Sequence, residues 1–248
     1  MKNIPEKSIN MILCDLPYGV TSRNKWDSQL PLVDIWEQYK RIVKDNGVII
    51  LFAQGMFTAK LMMNNPKMWR YNLIWEKTQP TGFLNAKRMP LRSHEDICVF
   101  YKKLPVYNPQ KTDGHIRKVS TVEHKKNCKE TTDYGKHNFV TYDSTERYPL
   151  SILKIPQDED TIITFSKDTQ KQALHPTQKP VALCEYLIET YSNEGDLILD
   201  NCMGSGSTGV AALNTNRNFI GVELDEIYFN IAKHRIEELK TKRNNCNF

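Results

Sequence analysis

The sequence predicts a doubly wound α/β domain, a mainly parallel sheet with helices on both faces. Three observations carry that expectation. Short apolar runs alternate with segments of helical period on both flanks of the chain. Three of those runs end on acidic residues, Asp15, Asp200 and Glu223. A glycine-rich turn joins one run to a helix of small residues. At 248 residues the chain has room for one large domain carrying an insertion.

Taken in order, Ile9 to Cys14 reads as a short buried strand ending at Asp15. Leu32 to about Lys44 sets apolar side chains at 32, 35, 36, 39, 42 and 43, a helical spacing, and Gly47 suits the C′ position that would end the helix. Val48 to Ala53 is the next strand, and Asn72 to Trp75 and Ile97 to Tyr101 are further strand candidates. Between Lys102 and Phe139 neither period is present. Pro180 opens a helix to about Tyr191, which Asn193-Glu194-Gly195 stops. Leu197 to Leu199 forms a strand ending at Asp200, and a small-residue helix follows near Val210 to Asn214. Phe219 to Val222 is a strand ending at Glu223, and a final amphipathic helix runs from about Glu226 to Lys240. Residues 1–101 and 147–248 thus read as two parts of one α/β plan, interrupted by 102–146.

The interruption is where the charge collects. The chain holds 34 Lys and Arg against 29 Asp and Glu, a formal net charge of +5. Lys102 to Phe139 alone holds nine basic and four acidic residues, an equal excess, with His115, His124 and His137 besides. Lys125, Lys126 and Lys129 form its densest cluster. Such a segment reads as facing nucleic acid, because clustered cations draw in phosphates and release their counterions; a solvated surface insertion is the plainer alternative. No apolar run approaches the 18 or so residues that a membrane span needs. Six cysteines lie far apart with no CxxC pair, and the histidines lack metal-ligand spacing. Reduced thiols, a cytoplasmic location and no metal site are expected.

The densest motif is Leu199-Asp200-Asn201-Cys202-Met203-Gly204-Ser205-Gly206-Ser207-Thr208-Gly209. Its GxGxxG lies between a strand and a helix, and Glu223 ends the following strand, the setting for a nucleoside ligand whose ribose an acid can bond. Two ligand classes remain open on this pattern. A dinucleotide would bring a pyrophosphate close to the carboxylate of Asp200. S-adenosylmethionine instead carries a sulfonium and an ammonium, which a carboxylate favours, and its own carboxylate can take the N–H groups of Gly206, Ser207 and Thr208. The physical chemistry leans to the latter.

A second motif lies at the end of the first strand, Asp15-Leu16-Pro17-Tyr18-Gly19. Pro17 breaks the strand and stiffens the turn, which presents Asp15 and Tyr18 at its carboxyl end. A turn alone would explain these residues. The functional reading is an amine site: a carboxylate and a backbone carbonyl each accept one N–H of an exocyclic base amine, and Tyr18 stacks on the base. These groups suit a nucleotide flipped out of a duplex.

Asp15-Leu16-Pro17-Tyr18 resembles the (D/N/S)PP(Y/F/W) motif of DNA amino-methyltransferases. His175-Pro176-Thr177-Gln178-Lys179-Pro180, followed by the 199–209 loop, resembles their cofactor-site pair. Trp75-Glu76-Lys77 and Arg92-Ser93-His94-Glu95 also sit where this class has similar residues. The order of catalytic motif, target-recognition region and cofactor motifs is that of the circularly permuted, β-class members. The resemblance covers nearly the whole chain and is weakest over 102–146. It implies a permuted, Rossmann-like methyltransferase sheet with a catalytic half (1–101), an inserted basic target-recognition segment (102–146) and a cofactor-binding half (147–248).

The resemblance further implies Asp15 as acceptor for the target amine, the carbonyl of Leu16 as second acceptor, Pro17 as the stiff link and Tyr18 as the stacking residue. It implies Asp200, Gly204, Gly206, Ser207 and Thr208 along the methionine part of S-adenosylmethionine, Glu223 on the ribose, and Thr177, Lys179 and Pro180 completing the pocket. Cys202 stands where the family often has an aromatic residue, and Leu16 replaces a proline whose implied role is a backbone carbonyl. The implied partner is double-stranded DNA with a flipped target base, and an aspartate in the first motif position resembles N6-adenine members more than N4-cytosine members. The implied chemistry is direct in-line methyl transfer to nitrogen. A nicotinamide-dependent dehydrogenase would leave the Asp15 motif and the basic segment without a role. A non-catalytic DNA-binding protein on the same fold would differ in incorporating no methyl group. Permuted members often carry a further strand ahead of the catalytic motif, whereas Met1 to Ser8 are mostly polar and include Pro5. The sheet edge beyond the Phe219 strand is therefore expected to be open, and about 20 more upstream residues, enough for a strand and its turns, to strengthen cofactor binding; closure by a homodimer is the alternative.

Overall fold

The computed structural model describes residues 1–19, 30–121, 141–154 and 178–245. Thr177, His175 and the Lys125, Lys126 and Lys129 cluster lie outside the described residues. The strands are β1 (Ile9–Cys14), β2 (Val43–Ala53), β3 (Trp69–Thr81), β4 (Arg92–Tyr101), β5 (Lys118–Val119), β6 (Asp143–Ser144), β7 (Ile152–Leu153), β8 (Leu197–Asp200) and β9 (Asn218–Gly221). The helices are α1 (Leu32–Ile42), α2 (Met56–Asn64), α3 (Val181–Tyr191), α4 (Ser207–Asn214) and α5 (Glu226–Asn245). The chain divides into a main unit, Met1–Asn108 with Ser151–Phe248, and a small unit, Pro109–Leu150.

The main unit is built on a seven-stranded sheet in the order β7-β3-β4-β2-β1-β8-β9. β1 pairs in parallel with β2 and β8, and β8 with β9. β4 alone runs antiparallel, between β2 and β3. The central strands are buried on both faces, which is why they read as unbroken apolar runs. Alternation divides their side chains between two cores. Ile12 and Cys14 of β1, with Ile49, Leu51 and Ala53 of β2, pack with Ile35, Trp36 and Tyr39 of α1 and with Phe57 and Leu61 of α2. Met11 and Leu13, with Val48, Ile50 and Phe52, pack with Leu183, Leu187 and Ile188 of α3 and with Ala211 and Ala212 of α4. The chain therefore leaves β1 over one face and β8 over the other. Between two such strands a crevice opens at their carboxyl ends, the usual ligand site of open α/β sheets.

Several expectations change in detail. Gly47 is no helix cap: α1 ends at Ile42 and passes directly into β2, which contains Gly47. A Cβ there would lie 2.7 Å from Val43 Cγ1 and 2.8 Å from the carbonyl oxygen of Asn10, so the glycine permits a close backbone approach. α4 begins at Ser207 rather than near Val210. β3 and β4 are far longer than their apolar centres and continue past the sheet as a paired ribbon. Among the described residues no strand pairs with the outer edge of β9.

The small unit holds the antiparallel pair of β5 and β6. Much of its described charge is paired: Arg117 makes a two-pronged contact with Asp143 at 2.6 Å, and Lys111 Nζ lies 2.8 Å from Glu146. In the main unit Lys102 and Lys103 share Asp45. Solvent screens exposed pairs of this kind, so they set local charge more than stability.

Candidate active site

β1 and β8 end side by side, so the two sequence motifs share one edge of the sheet. Asp15 follows the last residue of β1 and is half-buried, with Leu16 buried behind it. Each oxygen of its carboxylate has a donor. Tyr18 donates its hydroxyl to Oδ1 at 2.8 Å, and Lys179 reaches Oδ2 at 2.5 Å. Tyr18 also stacks its ring on Phe57, with centroids 4.8 Å apart and planes 29° off parallel. Burial, helped by the neighbouring carboxylates of Asp15 and Glu95, pushes the phenol well above its usual range, so Tyr18 remains a donor.

Lys179 joins the two halves of the chain. Pro180, the residue before α3, and Lys179 are both buried. The ammonium lies 3.2 Å from Glu95 Oε2 as well as on Asp15, and 5.1 Å above the ring of Phe52. Lys77 grips the other oxygen of Glu95 at 2.5 Å. The result is a row of alternating charge, Asp15, Lys179, Glu95 and Lys77. Burial opposes ionisation of both inner groups. The carboxylates of Asp15 and Glu95 nevertheless hold the Lys179 ammonium above its ordinary value, and the two lysines hold Glu95 below its own. Glu95 Oε2 is at ion-pair distance from Lys179 yet receives no aligned hydrogen bond from the described residues. The sequence placed Lys179 on the cofactor; its ammonium here faces the catalytic motif.

The glycine loop is held by its own backbone and by two side chains. Asp200 Oδ1 accepts the N–H of Cys202 at 3.0 Å, and the backbones of Asp200 and Met203 bond Val222 of the next segment. Asp200 is buried, and burial raises its carboxyl to about 6. Gly204 donates its N–H to Glu223 Oε2 at 2.8 Å, while Leu224 and Asp225 donate to Glu223 Oε1. Gly206 sits at φ +84°, and a Cβ there would meet Ala232 of α5 at 2.9 Å, so both conformation and packing require glycine. Ser207 and Thr208 open α4 and are buried. The hydroxyl of Ser207 is buried with no hydrogen-bond partner among the described residues. Cys202 is half-buried beside Cys14, whose thiol burial pushes up. Among the described residues no cluster of three metal-ligating side chains occurs, and no helix is long and apolar enough to cross a membrane.

Phe57 and the Glu95–Lys77 pair were not assigned roles from the sequence. The pair had a readable signal. Glu95 stands opposite Trp75 in the β3–β4 register, so Lys77 is its diagonal neighbour on the same face. Phe57 offered none, since its position depends on how α2 packs.

The profile of the DNA methylase family matches residues 9–234. The chain belongs to that family. Type II methyltransferase M.HinfI of Haemophilus influenzae is 28% identical over 269 residues, spanning 98% of this chain and 67% of its own. Type II methyltransferase M.HpaI of Haemophilus parainfluenzae is 28% identical over 250 residues, spanning 96% and 71%. Among solved structures, the M1.HpyAVI–SAM complex is similar at 26% identity and a TM-score of 0.58, over 95% of this chain and 90% of that one. The cytosine-N4-specific PvuII DNA methyltransferase, at 15% identity, has a similar fold, with a TM-score of 0.64 over 94% and 81%. This DNA methylase thus has an α/β sheet like those of the solved methyltransferases, with both of its motifs at the carboxyl edge.

Proposed function

We propose that this DNA methylase methylates the exocyclic N6 amine of adenine in duplex DNA, with Asp15 as the acceptor that orients the amine. The observation that carries the reading is the placement of the Asp15 carboxylate beside the Asp200 loop at the ends of adjacent strands. S-adenosylmethionine is the cofactor, and the loop fits it. A buried carboxylate suits its cationic end, and the unpartnered hydroxyl of Ser207 with the N-terminus of α4 suits its carboxylate. Gly204, Gly206, Thr208 and Cys202 line the turn; Glu223 has carboxylate lone pairs for the ribose beyond those its amide contacts use. Pro180 and Lys179 carry α3 to the same edge.

When bound, the cofactor supplies a methyl group on sulfonium sulfur. The protein's part is positioning and electrostatics. Asp15 and the carbonyl of Leu16 would each accept one amine N–H, which would orient the amine and free its nitrogen lone pair. Asp15 would face the positive charge that methylation develops on the target nitrogen. Tyr18 and Lys179 fix the carboxylate so that little reorganisation is needed, and the proton that the methylated nitrogen sheds would pass to solvent. The aspartate in the first motif position supports adenine over cytosine. Expression in a methylation-free host with base-resolution modification mapping tests this. N6-methyladenine at one recurring sequence is the expected result, N4-methylcytosine would move the target to the other base, and an unmodified genome would refute the enzyme reading.

Asp200 adds a pH dependence. A carboxyl at about 6 is largely protonated at pH 5 and ionised at pH 7. A cationic ligand prefers the ionised form, so binding should release a proton, and affinity should fall about tenfold from pH 7 to pH 5. The same raised value means that Asp200 favours the empty fold below its ordinary carboxyl range and loses that contribution as the pH rises through about 6. Calorimetric titration with S-adenosylmethionine at both pH values checks this, and a flat affinity would remove Asp200 from the cation site.

A further inference from the structure

β3 and β4 continue beyond the carboxyl edge of the sheet as an arm. Every residue from Thr78 to His94 is exposed. Its tip shows large apolar side chains to solvent: Phe83 is 76% exposed, Leu84 85% and Met89 56%. The same stretch carries Lys87, Arg88 and Arg92 and contains no Asp or Glu. The tip has a built shape. Gly82 turns the chain at φ 91° into a 3₁₀ turn, Phe83–Asn85, and Arg88 and Met89 donate their N–H groups to the carbonyl of Asn85. The root is fixed beside the active site. Gln54 at the end of β2 accepts from Arg92 at 2.5 Å and donates to the carbonyl of His94, and Glu95, the next residue, pairs with the lysine that holds Asp15.

Exposed apolar side chains gathered at one tip mark a contact surface. A second copy of the chain is a poor occupant, because a two-fold contact would set this cationic, acid-free arm against its own image. A polyanion with an apolar interior fits both features. We infer that the arm is a wedge for duplex DNA: Phe83 and Leu84 enter the base stack beside the target nucleotide, while Lys87 and Arg88 neutralise flanking phosphates. Apolar wedges of this kind unstack base steps and offset the cost of extruding a base. The inference rests on the proposed DNA methyltransferase activity and adds the element that opens the duplex.

The test uses the full chain, with changes confined to exposed side chains. Methyl incorporation from tritiated S-adenosylmethionine is measured on native and on heat-denatured unmethylated phage λ DNA. The double variant Phe83→Ala/Leu84→Ala should lose at least about tenfold on native DNA and little on denatured DNA, where no stack need be opened. The variant Lys87→Ala/Arg88→Ala should reduce the salt dependence of binding to a fluorescent 30-base-pair duplex by up to about two units of slope, one per lost phosphate contact. Equal activities of the first variant and the wild type on native DNA would overturn the wedge, as would an equal loss on both DNAs. An unchanged salt slope would overturn the phosphate contacts. Loss of self-association with methylation intact would assign the arm to a second copy. A wild-type protein that methylates neither DNA, with the slope change still present, would refute the methyltransferase reading and leave the arm as a DNA contact.

Discussion

Asp15→Ala is expected to abolish methyl transfer, by about 100-fold or more, with S-adenosylmethionine binding retained. The separation follows from the geometry. Asp15 follows β1, whereas the loop proposed to hold the cofactor follows β8 and is tied by Asp200, Glu223 and α5. Removing the carboxylate leaves that loop intact. It also leaves Lys179 with Glu95 as a partner, so the buried ammonium is not stranded. The amine would keep one acceptor, the carbonyl of Leu16, and lose the directed charge that faces the developing cation. Calorimetric titration with the cofactor and incorporation of tritiated methyl groups into duplex DNA give the two readings. Near-normal turnover would remove Asp15 from the catalytic role.

Lys179→Met is expected to cost stability as well as rate. Its ammonium is buried between two carboxylates, 2.5 Å from one and 3.2 Å from the other. Taking away one partner of such a pair strands the remaining charge, and the cost is about 3–5 kcal/mol. Lys77 continues to compensate Glu95, so the stranded charge is mainly that of Asp15. The row behaves as one unit, and paired changes should therefore couple. Adding Asp15→Asn to Lys179→Met removes the unbalanced carboxylate and should recover part of the loss, a positive interaction in a double-mutant cycle. Urea unfolding of the four proteins measures it. A single-variant loss below about 1 kcal/mol, with additive behaviour, would show that solvent already screens the row.

The central fold was legible where burial is two-sided. β1, β2, β8 and β9 showed in the sequence because their apolar runs are short, bounded and followed by acids or a glycine turn. The outer parts of β3 and β4 were not, since an exposed ribbon has no buried face and so no period to detect. Gly47 misled because a glycine after a helical stretch looks the same whether it ends the helix or admits a neighbouring backbone. The two motif clusters were readable as local strings. The link between them was not: Lys179 and Asp15 are 164 residues apart, and the packing of α3 against β1 brings them together. A local motif assigns a lysine to its nearest sequence neighbours, whereas a buried ammonium is placed by whichever carboxylates the fold delivers.

The small unit leaves the main one at Asn108 and the chain re-enters it at Ser151. Both junctions are fastened inside the main unit, Asn108 donating its N–H to the carbonyl of Thr190 and Ser151 accepting from the N–H of Ile74. Changes between these two clamps need not disturb the registers of β3 or α3. Selection can therefore rewrite residues 109–150, by insertion, deletion or wholesale replacement, at a pace the sheet could not survive. Descendants of one ancestral scaffold would then diverge fastest in this stretch while their strand ends stayed alike, a cassette architecture in which novelty and constraint occupy different parts of one chain.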